Sequence, residues 1–315
     1  MATKKRIALI TPSLAQANNG NWQTARRWSA FLSQHYTVDA SIAWDGKPAD
    51  LMIALHARRS GQSIADFAPS GKPIALVLTG TDLYRDIQSD PLAQQSLTLA
   101  TRLVTLQDAG ISVLPPDLHA KVLTIYQSAK SLSHLAPRTT TFDCVIVGHL
   151  RDEKDPLTAI EAVIKTHIPR LRLRVIGDTD RAEVGRQAIA LSKTDNRIEM
   201  LGALDHASSR REIRRAQVLV IPSVMEGGAN VIIEAITSGT PVLASKINGS
   251  IGMLGADYKG YFAVGDRSGL AQLLERCSSE PDFIDLLKSQ CALRAALFAP
   301  AIERSAVNRL AGSLI

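Results

Sequence analysis

The chain has 315 residues, 45% of them apolar and 21% charged, enough apolar material for two cores, which excludes disorder as its main state. No uncharged apolar run approaches the ~18 residues of a membrane span, the apolar stretch Ile7 to Ile10 is too short for a signal-peptide core, and the three cysteines (Cys144, Cys277, Cys291) lack paired or metal-type spacing, as expected in a reducing cytoplasm. The net charge of +6 is uneven: residues 1–140 carry 14 Lys and Arg against 9 Asp and no Glu, and the rest carry 22 against 21. This excess reads either as a solvated basic surface or as a half that handles an anion. Nucleic acid is excluded as the anion, because only 4% of residues are aromatic and no Lys/Arg block exceeds three.

In chain order, short apolar runs alternate with amphipathic stretches. RIALIT (6–11), ADLMIAL (49–55), KPIALVLTG (72–80) and RLVTL (102–106) read as strands, and KVLTIY (121–126) as a further one. Helical patterns cover 21–34 and 91–100. Runs of this length between Gly, Pro and Asp suit strands covered on both faces. Residues 127–141, rich in Ser, Thr and Pro, read as a linker. The rhythm then restarts with FDCVIVG (142–148), RLRVIG (172–177), RIEMLG (197–202), VLVIPS (218–223), PVLAS (241–245) and YFAV (261–264). Helices are expected at 155–167, 181–192, 208–216, 230–238, 268–277, 282–297 and 302–311. Strand–helix alternation means α/β architecture with parallel sheets and right-handed crossovers. Two such series predict two Rossmann-like, doubly wound domains facing a cleft, split near residue 135. Ligands in such sheets bind off the carboxyl ends of the strands.

The most informative stretch is 218–245. A strand ends at Ile221, Pro222-Ser223 turns the chain, and Glu226-Gly227-Gly228-Ala229 forms a loop without side-chain bulk. A helix begins near Asn230, with Glu234 one turn in. A helix N-terminus offers free N–H groups, glycines let a ligand approach the backbone, and two carboxylates accept hydrogen bonds from sugar hydroxyls. The pattern suits a polyhydroxyl group attached to phosphate.

Pro-Ser, Glu-Gly-Gly, Glu-Ala and then Gly-Thr-Pro-Val resemble the donor motif of retaining glycosyltransferases with the GT-B fold. The resemblance implies that Glu226 contacts the transferred hexose, that Glu234 binds the nucleotide ribose, and that Gly227, Gly228, Ala229 and Asn230 present backbone to the sugar and phosphates. The family often has Phe between the two glycines, which are adjacent here. VIVGHLRDEKDP resembles the segment whose Arg and Lys clamp the donor diphosphate, which implies donor roles for Gly148 and His149 and a catalytic role for Lys154. His149 stands where Arg is usual, and Arg151 is placed to supply the missing charge. Gly177, in RLRVIGDTD, matches a turn near the base or diphosphate. The resemblance covers about residues 142–265. It also implies an N-terminal acceptor domain (1–135), a nucleotide-sugar donor domain (136–300) and a final helix (301–315) returning to the N-terminal domain.

In the N-terminal half, the loop with Asn19, Gly20 and Asn21, then LHARRS with His56, Arg58 and Arg59, then LTGTDLYRD with Thr79, Gly80 and Thr81, resemble the selenosugar synthase family of selenoneine biosynthesis. That resemblance implies transfer of a hexose, of GlcNAc or glucose type, from a UDP-sugar to selenophosphate with formation of a carbon–selenium bond. His56 then joins Lys154, Arg151 and Glu226 as catalytic, and the other residues form the acceptor side. A small anion needs cations or N–H donors, and arginine forks match phosphate oxygens. Selenophosphate is already charged and needs little help from a general base, whereas the departing UDP needs cations. No cofactor and no metal are expected. Alternatives are a glycosyltransferase for an alcohol or lipid acceptor, a silent nucleotide-sugar binder, and a sugar epimerase, which the two-glutamate loop disfavours.

Overall fold

The structure, a computed structural model, describes residues 4–14, 20–179 and 183–315. The chain divides into two units, one made of Met1–Ser128, Glu226–Ala229 and Pro300–Ile315, the other of Ala129–Met225 and Asn230–Ala299. Residues 129–135, expected on the N-terminal side, therefore belong to the second unit. Backbone hydrogen bonds from Leu132 to Thr237 (3.2 Å) and from Leu135 to Arg214 (2.9 Å) tie them there. The loop Glu226–Ala229, expected in the donor domain, is counted with the first unit.

The first unit holds six parallel strands: β1 (Arg6–Ile10), β2 (Thr37–Ser41), β3 (Leu51–Leu55), β4 (Ile74–Leu78), β5 (Arg102–Thr105) and β6 (Val122–Thr124), in the spatial order β2-β1-β3-β4-β5-β6. Helices α1 (Gly20–Leu32), α2 (Gly61–Phe67), α3 (Ile87–Ser89) and α4 (Pro91–Leu99) connect them. Alternate residues of β3 enter different cores: Leu51, Ile53 and Leu55 pack with Trp28 and Leu32, while Met52 and Ala54 pack with Phe67 and Leu97. A period of two with both faces apolar is what a covered central strand requires. β2 escaped the sequence reading because it is an edge strand with no buried residue, so it has no apolar run to detect. Asp90 caps α4 by accepting from the Ala93 N–H at 3.0 Å.

The second unit repeats the plan with β7 (Phe142–Val147), β8 (Leu171–Ile176), β9 (Ile198–Gly202), β10 (Val218–Ile221), β11 (Val242–Ser245) and β12 (Tyr261–Phe262), in the order β12-β11-β10-β7-β8-β9. Its helices are α5 (Pro156–Lys165), α6 (Glu183–Ser192), α7 (His206–Arg215), α8 (Asn230–Ile236), α9 (Asn248–Leu254), α10 (Arg267–Ser279) and α11 (Pro281–Arg294). Asp155, Asp205 and Asp266 cap α5, α7 and α10. Strand order reverses between β7 and β10, the crevice where doubly wound sheets take ligands. Cys144, Cys277 and Cys291 are free and buried.

The last helix, α12 (Pro300–Leu314), belongs to the first unit and places Val307, Leu310 and Ala311 in the core containing Trp28. Its Glu303 is fully buried. The carboxylate accepts from Arg27 Nε (3.0 Å), Trp28 Nε1 (2.8 Å), and Ser128 N (2.9 Å) and Oγ (2.5 Å). A buried carboxylate is tolerated when its lone pairs are filled in this way. No helix among the described residues is long and apolar enough to cross a membrane.

Candidate functional site

In the first unit the site grows from the carboxyl ends of β3 and β4. His56 follows β3, is buried, and has φ of 75°, a conformation that costs a residue with a Cβ about 1–2 kcal/mol. Its Nδ1 accepts from the Arg59 backbone N–H at 3.3 Å. The neutral ring therefore carries its proton on Nε2, which donates to Thr81 Oγ1 at 3.1 Å. Burial, the largest influence, holds the His56 pKa below its ordinary value, opposed by Asp82 and Asp86. With both nitrogens engaged, His56 orients the Thr81 hydroxyl.

Asp82, fully buried, organises the same turn. It accepts from the backbone N–H groups of Ala57 (2.9 Å), Thr79 (2.9 Å) and Gly80 (2.8 Å). The backbone N–H groups of Thr79 and Gly80, two residues expected on the acceptor side, are thus taken up by Asp82. The Glu226–Ala229 loop lies against this turn. A Cβ on Gly227 would collide with the Thr79 carbonyl, and one on Gly228 would stand 2.7 Å from Leu106 Cβ. That close approach leaves no room for a side chain at either glycine. Glu226 and Ala229 are buried. Leu106 and Gln127, which sequence reasoning did not assign, lie beside Gly228, and the buried Gln127 Oε1 has no hydrogen-bond donor among the described residues; Gln107 next to Leu106 donates to the Tyr84 hydroxyl at 2.9 Å.

In the second unit, Gly148 directly follows β7 and Gly177 directly follows β8. A Cβ on Gly177 would overlap the Gly148 carbonyl oxygen, so only glycine fits. The side chain of Lys154 runs past Gly148, its Cε and Cδ standing 3.8 and 3.9 Å from where a Cβ would be. Arg151 and Lys154 bracket the turn through the Lys154 N–H to Arg151 carbonyl bond, 2.9 Å, and His149 lies between Gly148 and that turn. Asn230 opens α8. Glu234, buried in the same helix, pairs with His206 Nε2 at 2.6 Å. Burial lowers the Arg210 pKa and the Glu234 charge opposes this; Arg210 Nη2 itself donates to the Lys130 carbonyl at 2.9 Å. Sequence reasoning missed His206 and Arg210. Asp205, an N-cap just before α7, is the only local signal there.

The arginine pair divides. Arg58 Nε lies 3.5 Å from Asp86 and Arg58 Nη1 4.0 Å from Asp90, so carboxylates already attend its charge. Arg59 is exposed, and among the described residues no carboxylate pairs with it. Gly20 and Asn21 open α1, while Asn19 lies outside the described residues. The chain does contain one Asp-x-Asp sequence, Asp178-Thr179-Asp180, of which Asp180 lies outside the described residues. Among the described residues, no three His, Cys, Asp or Glu are placed to hold a metal.

A family model described as Glycosyl transferases group 1 matches residues 130–288, just over half of the chain. The chain belongs to this family. It is 26% identical over 207 residues to the phosphatidylinositol N-acetylglucosaminyltransferase gpi3 subunit of Schizosaccharomyces pombe, covering 62% of this chain and 43% of that protein. It is 28% identical over 233 residues to the D-inositol 3-phosphate glycosyltransferase of Segniliparus rotundus, covering 70% and 51%. The chain thus spans about half or less of these curated relatives. Among solved structures, Anabaena HepE in complex with UDP and glucose matches with a TM-score of 0.78 at 14% identity, covering 99% of this chain and 100% of that one. Sucrose-phosphate synthase from Thermosynechococcus elongatus matches at 0.80 and 16%, covering 99% of each. At those identities the likeness concerns the fold. This glycosyl transferase family member has the GT-B fold, with two domains that each contain a six-stranded parallel sheet flanked by helices.

Proposed function

We propose that the chain transfers a hexosyl group from a UDP-sugar to selenophosphate. Selenium would attack the anomeric carbon, the bond from that carbon to the UDP oxygen would break, and UDP would leave with the bonding pair. The products are UDP and a hexosyl selenophosphate joined through carbon and selenium. On the donor side the reading rests on one observation: Glu234 is a buried carboxylate ahead of the β10–β7 switch region, held by His206 and attended by Arg210. A carboxylate fixed in this way has lone pairs left for ribose hydroxyls. Glu226 takes the hexose role, and Lys154 with Arg151 the role of stabilising the departing diphosphate. Solved structures of the same fold contain UDP with glucose, which supports a UDP-sugar donor.

On the acceptor side, Arg59 carries the reading, as an exposed guanidinium near His56 with no carboxylate partner among the described residues. A second reading is favoured by the relatives' names, two of which specify inositol-containing acceptors. There, an inositol phosphate hydroxyl replaces selenophosphate. One assay separates the two: UDP release from UDP-GlcNAc and UDP-glucose, with selenophosphate, with D-inositol 3-phosphate, and with neither. Selenophosphate-dependent release supports the first reading. Release only with the inositol phosphate removes it, and UDP-sugar binding without any turnover leaves a silent binder.

A further inference from the structure

Residues four apart on a helix share a face, and α7 turns the face with His206 and Arg210 toward α8. Asp205 accepts from the Ser208 N–H at 2.9 Å, which fixes where α7 begins and so where its first residue, His206, stands. His206 Nε2 meets Glu234 Oε1 at 2.6 Å. A carboxylate has acceptors only, so Nε2 is the donor. One turn later, Arg210 Nη2 donates to Ser238 Oγ at 3.3 Å and to the Lys130 carbonyl at 2.9 Å. Beyond it, Thr240 Oγ1 donates to the Ile213 carbonyl at 2.8 Å. Arg210 and Thr240 therefore tie α7 to the segment that ends α8, independently of His206, whose bond goes to the Glu234 side chain alone.

The two partners differ in exposure: the Glu234 side chain is 9% exposed and that of His206 48%. Oε1 is held by the ring, whereas Oε2 has no hydrogen-bond donor among the described residues and stays open to solvent. Glu234 thus presents one committed oxygen and one available oxygen on a side chain whose torsions are already set. An unheld glutamate would have to be ordered by the ligand, at the ligand's expense in affinity. From this geometry we infer that His206 is a positioning and specificity residue of the nucleotide site: by holding Oε1 it aims Oε2 at a single ribose hydroxyl, and so makes the chain select ribonucleotides over deoxyribonucleotides. The inference rests on the reading of Glu234 as the ribose contact. A preset acceptor discriminates because a nucleotide lacking the hydroxyl leaves it desolvated and unpaired.

The test is calorimetric binding of UDP, 2′-deoxy-UDP and 3′-deoxy-UDP to the full chain, with no sugar and no acceptor, so that neither the hexose nor the acceptor enters. The readout is the ribose preference, the larger of the two ratios of deoxynucleotide Kd to UDP Kd. The unaltered chain is expected to prefer UDP by about tenfold or more, the scale of one hydrogen bond to a charged group. His206→Phe, which keeps a ring and removes the donor, is expected to cut that preference by about threefold or more. In a Glu234→Ala background, the same substitution is expected to change UDP affinity by less than about twofold. If His206→Phe does not fold, His206→Ala decides by the same readout. A His206→Phe protein with the original preference, or an equal loss of UDP affinity in the Glu234→Ala background, overturns the role of His206 and leaves the reading of Glu234 standing. An unaltered chain that binds UDP and both deoxynucleotides alike, or that does not bind UDP, overturns the ribose reading of Glu234, and this inference with it.

Discussion

His56 combines a left-handed backbone conformation with complete use of its ring nitrogens. Burial disfavours its charged form, so the folded-state pKa lies below the ordinary value of about 6.5. The sign follows by linkage. Above pH ~6.5 the ring is neutral in both states and its contribution is fully present. As the pH falls below ~6.5 the unfolded chain takes up a proton that the folded chain refuses, and stability declines toward the folded pKa. His56→Asn, which tolerates the left-handed region, is expected to lose less stability between pH 7.5 and 5.5 than the unaltered protein. His134, whose pKa burial also lowers, keeps its own share. Urea midpoints at the two pH values test this, and an identical drop in both proteins counts against it. For Glu234→Ala, the expected result is a rise of about 10- to 150-fold in donor KM with little change in kcat, since a ribose contact is similar in ground and transition states. A normal KM with a collapsed kcat would refute the ribose role.

Among the elements, α12 depends on one carboxylate. Glu303 fills its lone pairs with Arg27, Trp28 and Ser128, which joins α12 to α1 and to the end of the first unit's main segment. Removing it leaves an indole N–H and a backbone N–H buried without a partner. Glu303→Ala is expected to cost roughly 3–5 kcal/mol, the range for breaking a buried, hydrogen-bonded ion pair, measured as a shift in denaturant midpoint. A shift below about 1 kcal/mol would mean that water replaces the carboxylate. Arg27 is therefore committed to structure, whereas its chain neighbour Arg26 is exposed. The partner of Arg27, Glu303, is remote in the chain, and no local pattern links them.

Taken whole, the molecule concentrates its candidate cations around two sites, Arg59 in the first unit and Arg151 with Lys154 in the second. Arg59→Ala is expected to lower kcat/KM for selenophosphate about 10- to 150-fold, the value of one charge-assisted hydrogen bond, while donor KM stays within about twofold. Unchanged acceptor kinetics would assign Arg59 to the surface. UDP release is expected to persist in EDTA, with Lys154 and Arg151 stabilising the leaving group. Complete loss, restored by a divalent ion, would overturn that and direct attention to Asp178 and Asp180.

The sequence by itself determined the strand–helix alternation, eleven of the twelve strands among the described residues, and the Glu226 to Glu234 motif with its glycines. These are local properties: runs of apolar residues, turn residues, and carboxylates a fixed number of positions apart. Only the tertiary structure decided that the Thr79 and Gly80 amides serve Asp82, that Asp86 and Asp90 attend Arg58 while Arg59 has no such partner, and that His206 holds Glu234. It likewise counted the Glu226–Ala229 loop with the first unit and brought Thr79 and Leu106 against its glycines. Each of these is a pairing between groups whose partners are chosen by the packing of separate strand ends. A hydrogen bond reaches about 3 Å in space, and the order of residues along the chain does not encode which atoms come within that distance.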